Sequence, residues 1–568
     1  MATNVSPGVY TKIIDLTAYL ADIPGTIGFI PFFTRQGPDN QLTFITSLQE
    51  LADTYGRPNI NDFGRAFGQG YYIAWNHVST SPSFYCLRCL PDDAAFSNLF
   101  VVYNSDSTGS IEVTHATSQN SLLELETTLQ QVIGTEYPLA VFYPVGRGDF
   151  YDDFAITIAR SANLFKNSSV DGVEATPTEA VYDIDIWKTQ SDGDDVIIES
   201  FEVTFDPNVV DEFGDSIFIE DVVNRYSKYI RVEINRESLN EWMANGTVEV
   251  EVGDSVTPIH LFHGSEGSIV NVDITTGRRT INSTVAIQTL SDGYSGLLTN
   301  PITFQLEDKV LDTDEIYFPL VYDGGYPTQV KNSIVSLVED YRLDGVAILD
   351  NGDNVSVAES IVSRNEDHNF NTRYAALFDP YSKIYDVHTG RDVWFSPVYH
   401  MANLIPLNDK LYDIWYPTAG FRRATIATIK ELRYNPKLSQ RDQLYLKQIN
   451  PIVKFSIGET VWGNLTTQKR PSILQNLSIM RMVLYIKRAI EQFLKFYVFE
   501  FNDPMSWNEM NNAIGPFLET IKEGRGLKSY SIEVGATEYE EKRKICHVDI
   551  ILFPTGVIER IELNLYIK

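Results

Sequence analysis

The sequence predicts an α+β multidomain protein: an α/β core domain that carries a β-rich inserted domain, followed by a C-terminal α+β domain. Three observations lead there. Strand and helix patterns alternate over residues 23–91 and resume over 316–445. The interval between them, 92–315, reads as short strands separated by Gly, Asp and Asn turns. Residues 446–553 combine two amphipathic helices with period-2 strands. At 568 residues the chain is also too long for one hydrophobic core.

In the core, Thr26–Phe33 and Phe84–Leu90 are apolar runs of strand length. Between them, Ser47 and Glu50 have the spacing of a capping box and open a helix to Tyr55. Leu320–Tyr322 and Gly345–Leu349 read as further strands around a helix over Gln329–Tyr341. In the interval, Phe201–Phe205, Tyr229–Ile234, Thr247–Val252 and Ile269–Ile274 read as strands. Near the C-terminus, Ser472 with Gln475 and Ser506 with Glu509 are candidate capping boxes for two helices, to about Tyr497 and Lys522. Gly524 is placed to end the second in the left-handed conformation. Pro516 should kink that helix. Strands are expected near Ile545–Phe553 and Val557–Ile567.

The first of these two helices has an apolar face of Met480, Val483, Ile486, Ile490, Phe493 and Leu494. Arg481, Tyr485, Arg488, Gln492 and Lys495 lie opposite, so a solvent-facing basic stripe is expected. The chain ends also carry pattern. Val9, Thr11 and Ile13 alternate with Tyr10, Lys12 and Ile14. Ile561, Leu563, Leu565 and Ile567 alternate with Glu562, Asn564, Tyr566 and Lys568. Both segments, 1–22 and 554–568, look built to pair with a sheet.

Net charge is −31 and the spread is uneven. Residues 171–260 hold 22 acidic against 5 basic side chains, and residues 401–500 hold 7 against 15. The overall sign argues against nucleic acid as a partner, and the split suits head-to-tail pairing of copies. The N-terminal sequence has no charged-then-apolar leader pattern, and no apolar run reaches membrane-spanning length, so neither secretion nor membrane insertion is expected. Three cysteines suit a reducing compartment.

The chemistry of a reaction is hard to place. No phosphate-binding Gly-rich loop, nucleophile elbow or paired-histidine zinc motif occurs. His260 and His263 lack a third ligand at suitable spacing. Cys86 and Cys89 match C-x-x-C, but three residues apart on a strand they point to opposite faces and do not converge on a metal. Arg147-Gly148-Asp149 matches an adhesion tripeptide too short to carry weight. No catalytic residue, cofactor or metal is expected, and an enzyme is not.

Several runs together resemble the contractile tail sheath family. Glu199-Ser-Phe-Glu-Val-Thr-Phe-Asp-Pro207 leads through Gly214–Glu220 to Asn224-Arg-Tyr-Ser-Lys-Tyr-Ile230, similar to a signature stretch there. Gly146-Arg-Gly-Asp-Phe-Tyr-Asp-Asp-Phe-Ala-Ile-Thr-Ile158 resembles the segment that precedes it. Trp415-Tyr-Pro-Thr-Ala-Gly420, Asn450-Pro-Ile452, Val461-Trp-Gly463 and Phe499-Glu-Phe-Asn502 follow in family order, and Ser6-Pro-Gly-Val-Tyr10 is a common opening. One departure stands out: Asn464-Leu465-Thr466 occupies a place where the family has an Arg-Thr pair.

The resemblance implies a structural subunit of a bacteriophage tail, assembled in the host cytoplasm. It implies stacked six-fold rings around an inner tube, contraction from a metastable extended state, and contacts with baseplate and tail-terminator proteins. It also implies that Val9, Thr11, Ile13, Ile561, Leu563, Leu565 and Ile567 add strands to neighbouring subunits, completing the C-terminal domain. Arg481, Arg488 and Lys495 would then face the tube, with the acidic insertion outside. The alternatives are the sheath of a non-viral injection system and, in another class, a glycan-binding β-rich surface or fibre protein.

Overall fold

The structure, a computed structural model, describes residues 26–104, 111–114, 122–130, 136–160, 181–190, 193–210, 213–244, 258–272, 279–300 and 309–562. The expected strand Thr247–Val252 lies outside them.

Among the described residues, the central sheet has nine strands. Their order is Thr425–Ile426, Gly458–Val461, Ile449–Phe455, Ala375–Asp379, Val346–Asp350, Leu320–Tyr322, Gly28–Phe32, Phe84–Arg88 and Leu42–Ile45. The six from Ile449–Phe455 to Phe84–Arg88 run parallel. Parallel strands need both faces covered, and the sequence alternation supplies two cores. Ile30, Phe32, Cys86, Tyr322 and Ile348 enter one; Phe29, Phe33, Cys89, Val321 and Ala347 enter the other. Cys86 and Cys89 therefore do lie in cores on opposite sides of the sheet, both buried and unpaired.

The helices Gln69–Val78 and Pro397–Leu411 cover the first face, and Ser283–Ser295 and Thr328–Ser336 cover the second. The expected helix to Tyr341 changes character at Leu337, where a π-helical turn runs to Arg342. Two expected borders move. Ser283–Ser295 packs on the central sheet, so the interposed segment closes before residue 283 and not at 315. Ile449–Phe455 and Gly458–Val461 are strands of that sheet, so the C-terminal module begins after 461 and not at 446.

Among the described residues the interposed segment forms two four-stranded sheets and, at its end, a two-stranded pairing of Val270–Val272 with Arg279–Ile281. One four-stranded sheet holds Ile230–Ile234, Glu136–Pro144, Leu99–Asn104 and Ile111–Thr114; the other holds Ile259–His260, Phe154–Arg160, Val181–Thr189 and Asp195–Thr204. Leu99, Val101, Phe142 and Val232 from the first share a core with Ile156, Ile184, Ile186 and Val203 from the second. The two chain paths that connect this body to the central sheet run side by side, bridged antiparallel at Ala95–Ser265 and Asn98–Phe262.

The neck is held by buried arginines. Arg88 is fully buried and donates to the carbonyls of Thr34, Gly37, Arg35 and Arg147 at 2.7–3.0 Å. Arg147 pairs with buried Asp39 at 2.8 Å through Nε and also bonds the Ala94 carbonyl at 3.3 Å. Gly146 is obligatory here, because a Cβ would sit 2.1 Å from the Gly37 carbonyl oxygen. The Arg147-Gly148-Asp149 tripeptide is thus a structural joint: Arg147 is buried, and Asp149 pairs with Arg35 and Arg279.

Candidate functional site

The C-terminal module consists of the helices Leu477–Leu494 and Pro504–Glu523 and a hairpin of Leu527–Gly535 with His547–Pro554. Three local expectations shift. Ser472 opens only a 3₁₀ turn, and Asn476 caps the first helix. Asp503 caps the second, with Pro504 at its first position, where no amide donor is needed. Pro516 sits inside that helix without ending it. After it the left-handed residue is Arg525, at φ 68°, and not Gly524, at φ −71°. Gly524 serves close packing instead: a Cβ there would lie 2.7 Å from the Trp415 ring, whose Nε1 donates to the Gly524 carbonyl at 2.8 Å.

The helix Leu477–Leu494 bridges two cores. Leu477, Met480 and Leu484 join the core of the central sheet, while Ile479, Met482, Ile486, Ile490 and Phe493 pack on the second helix and the hairpin. A helix with apolar contacts on two sides has little wet surface, and this overturns the expected stripe. Arg481 and Arg488 are each 6% exposed. Arg481 pairs with Asp409 through both terminal guanidinium nitrogens, Nη1 to Oδ1 being 3.0 Å. Arg488 stacks on Tyr317, 5.0 Å from the ring centroid. Neither presents a charge outward. Lys495 does reach the surface, where it pairs with exposed Asp314.

Asn464, singled out in the sequence, holds the start of this helix: its Nδ2 donates to Asn476 Oδ1 at 2.7 Å. The neighbouring Asn450 is buried and bonds the Leu465 amide at 2.7 Å and the Leu377 carbonyl at 3.0 Å. Gly463 leaves it room, since a Cβ would be 2.6 Å from Asn450 Oδ1. The two motifs Asn450–Ile452 and Val461–Gly463 are therefore one packing unit.

The hairpin is the most thinly covered part of the module. It is a sheet of two strands, and among the described residues no strand pairs with either outer edge. Its helix-facing residues, Tyr530, Ile532, Ile550 and Leu552, are only half-buried. On the other face Ile551 and Phe553 are exposed. A two-stranded sheet is marginal by itself, and its unpaired amides and carbonyls template a further strand. The first strand, Leu527–Gly535, was missed in the sequence although Tyr530, Ile532 and Val534 alternate with Ser529, Ser531 and Glu533. The expected strand from Val557 is not formed in residues 557–562; Ile558 and Ile561 are exposed there. Val9, Thr11, Ile13, Leu563, Leu565 and Ile567 lie outside the described residues.

One polar crevice deserves comparison with an active site, because α/β sheets bind ligands beyond the carboxyl ends of their strands. Asp323, Asp350 and Asp379 stand there at the ends of three adjacent strands. Lys331 occupies the centre and uses its three protons on Asp323 Oδ2 at 3.0 Å, Asp350 Oδ1 at 2.9 Å and the Tyr326 carbonyl at 2.8 Å. Burial pushes the Asp323 carboxyl up to about 6; against the same burial, Lys331 holds Asp350 below the usual range. Burial also lowers the adjacent His368 to about 4. Lys331, Asp323 and Asp350 satisfy one another and read as a structural ion network. Asp379 stands apart, its Oδ2 accepting from Tyr434 at 2.9 Å and Asn354 at 3.3 Å while its buried Oδ1 has no partner among the described residues.

No family model matches the chain. It is 27% identical over 165 residues to the tail sheath protein of Vibrio phage KVP40, and 25% identical over 174 residues to the tail sheath protein of Enterobacteria phage T4. Those stretches cover 29% and 30% of this chain, and they span about a quarter of each relative, 25% and 26%. The crystal structure of a sheath tail protein from Listeria innocua superposes with a TM-score of 0.55 at 9% identity, over 94% of this chain and 92% of that one. That likeness speaks to the fold.

Proposed function

We propose that this chain, similar over part of its length to two phage tail sheath proteins and in fold to a third sheath protein, is the structural subunit of a bacteriophage tail sheath, linked to its neighbours by strand exchange at the C-terminal hairpin. The observation that carries this reading is the hairpin, whose edges pair with no strand among the described residues and whose apolar faces are half-covered. Terminal segments of neighbouring copies, bearing Val9, Thr11 and Ile13 or Ile561, Leu563, Leu565 and Ile567, supply the missing strands. Main-chain hydrogen bonds give such a joint affinity, and the alternating side chains fix its register.

Subunits so tethered stack as six-fold rings around an inner tube, between a baseplate and a tail terminator. Contraction requires two packings of the same subunits, the extended one metastable, with energy stored during assembly. Strand-exchanged arms keep neighbours connected while the bodies rotate. The buried neck makes the interposed acidic body move with the core as the subunit turns.

Negative-stain electron microscopy of the purified chain tests the reading, beside full-length Thr11→Pro and Leu565→Pro variants that each remove a ladder donor. Long striated hollow tubes from the parent chain, lost in either variant, are expected. Tubes of normal length from both variants would refute the strand linkage. Discrete particles whose mass rises with an added glycan would move the assignment to a surface-binding protein.

A further inference from the structure

The connection between the two helices of the C-terminal module carries an apolar surface that the fold itself does not use. Phe496 and Phe501 are each 81% exposed, Phe499 is wholly exposed, and Val498 and Met505 accompany them. Tyr539 and Ile545, in the connection between the hairpin strands, are exposed as well. Single exposed apolar residues are ordinary, but a contiguous group marks an interaction surface.

The segment is held from beneath. Tyr497 packs on buried Phe493 with ring centroids 5.2 Å apart. Asn502 donates from Nδ2 to the Ile545 carbonyl at 3.0 Å and accepts from Trp507 Nε1 at 2.8 Å. Phe499 adopts φ 77°, a left-handed conformation disfavoured for a residue with a Cβ. Backbone strain and fixed anchors together hold large apolar rings in water.

The anchors also say where this surface lies. Ile545 lies two residues before the second hairpin strand, which starts at His547 opposite Gly535. A strand added antiparallel to His547–Pro554 continues past that end. At about 3.3 Å per residue, three or four more residues of it cover roughly 10–13 Å of the apolar patch. The N-terminal sequence has residues of the right kind: directly beyond Val9, Thr11 and Ile13 come Ile14 and Leu16.

We propose that the surface formed by Phe496, Phe499 and Phe501 docks a second copy of this chain, through the part of its N-terminal segment that follows the exchanged strand. The proposal rests on the strand-exchange reading above and adds a side-chain anchor to its main-chain ladder.

Sedimentation velocity over a concentration series, with microscopy of the same samples, tests it on the full chain. The triple variant Phe496→Ser, Phe499→Ser and Phe501→Ser should melt like the parent as a monomer, yet need about ten-fold higher concentration to assemble. Phe499→Leu, which keeps the apolar surface, should assemble like the parent. If the triple variant melts early, Phe499→Ser alone replaces it, since that ring has no contact to lose. Assembly of the serine variant at the parental concentration overturns the proposal. So does normal self-assembly combined with loss of binding to purified tube protein, which would give the patch to the tube. Thr11→Pro separates the two ideas: if it assembles normally, strand exchange itself fails, whereas a block there with a normal serine variant removes only this anchor.

Discussion

Arg481 and Asp409 form a two-point ion pair between the bridging helix and the helix Pro397–Leu411, with the arginine 6% exposed. It ties the C-terminal module to the central sheet. Breaking one side leaves an uncompensated buried charge, which costs about 3–5 kcal/mol. Asp409→Ala should therefore destabilise the chain by that amount in urea unfolding. The double variant Asp409→Leu with Arg481→Met should recover most of it. A loss under about 1 kcal/mol in the single variant would mean the pair is solvated.

The neck offers a sharper case. Arg88 satisfies four carbonyls, and Arg88→Met leaves them all without a donor. Each buried unsatisfied group costs about 1–3 kcal/mol, so the variant should fail to fold or melt far below the parent. Arg88→Lys should rescue only in part, because one ammonium cannot reproduce the planar fork. Equal melting of the lysine variant and the parent would contradict this geometry.

His400 gives a pH dependence with a definite sign. It is buried, its Nε2 lies 2.6 Å from Ser382 Oγ, and burial lowers its pKa to about 4. An unfolded histidine takes up its proton near pH 6.5. Between those values the unfolded chain binds the proton and the folded chain does not, so stability falls as pH drops. At pH 5 the loss from this one group is about 2 kcal/mol. His400→Gln keeps a hydrogen-bonding partner for Ser382 without titrating. Relative to the parent it should gain that amount between pH 8 and pH 5, read from paired melts; a constant difference would exclude the assignment.

Thiol labelling checks the sheet. Burial raises the pKa of both Cys86 and Cys89, while Cys546 is half-buried. In the native chain Cys546 should react with a thiol reagent well before the other two, and all three should react in denaturant. Early labelling of Cys86 would mean the central sheet opens.

The outward hairpin face separates folding from assembly. Ile551 and Phe553 are exposed and two residues apart on one strand. Ile551→Glu with Phe553→Glu should shift monomer stability by no more than about 0.5 kcal/mol per site. Assembly should nevertheless be blocked, by charge placed on the face that incoming strands complete. Undiminished tube formation would count against that surface.

Features set by local chemistry were legible in the sequence. Ser47 caps its helix as the spacing required, its hydroxyl accepting from the Glu50 amide at 3.1 Å. The alternation along Phe84–Leu90 correctly separated Cys86 from Cys89. Features that depend on what a face meets were not legible. The 3.6-residue period placed Arg481 and Arg488 opposite an apolar stripe, but periodicity does not say whether a second core covers the other side. Here Asp409 and Tyr317 do, and both are distant in sequence. Leu527–Gly535 was missed because its alternation is diluted by serines, as suits a strand only half-covered within one chain.

The bridged pair Ala95–Ser265 and Asn98–Phe262 has a consequence for how this architecture diversifies. Two paths bridged as an antiparallel pair stand about 5 Å apart, so the outer body leaves and rejoins the scaffold at nearly one point. Its size and shape are then decoupled from the register of the nine-stranded sheet. A folded unit whose own ends meet can replace it there with little loop-closure penalty, provided it returns a Gly-Arg pair to the neck, where Gly146 and Arg147 meet Gly37 and Asp39. The scaffold is in effect a mounting socket: it keeps its own geometry, while the body it carries is free to vary.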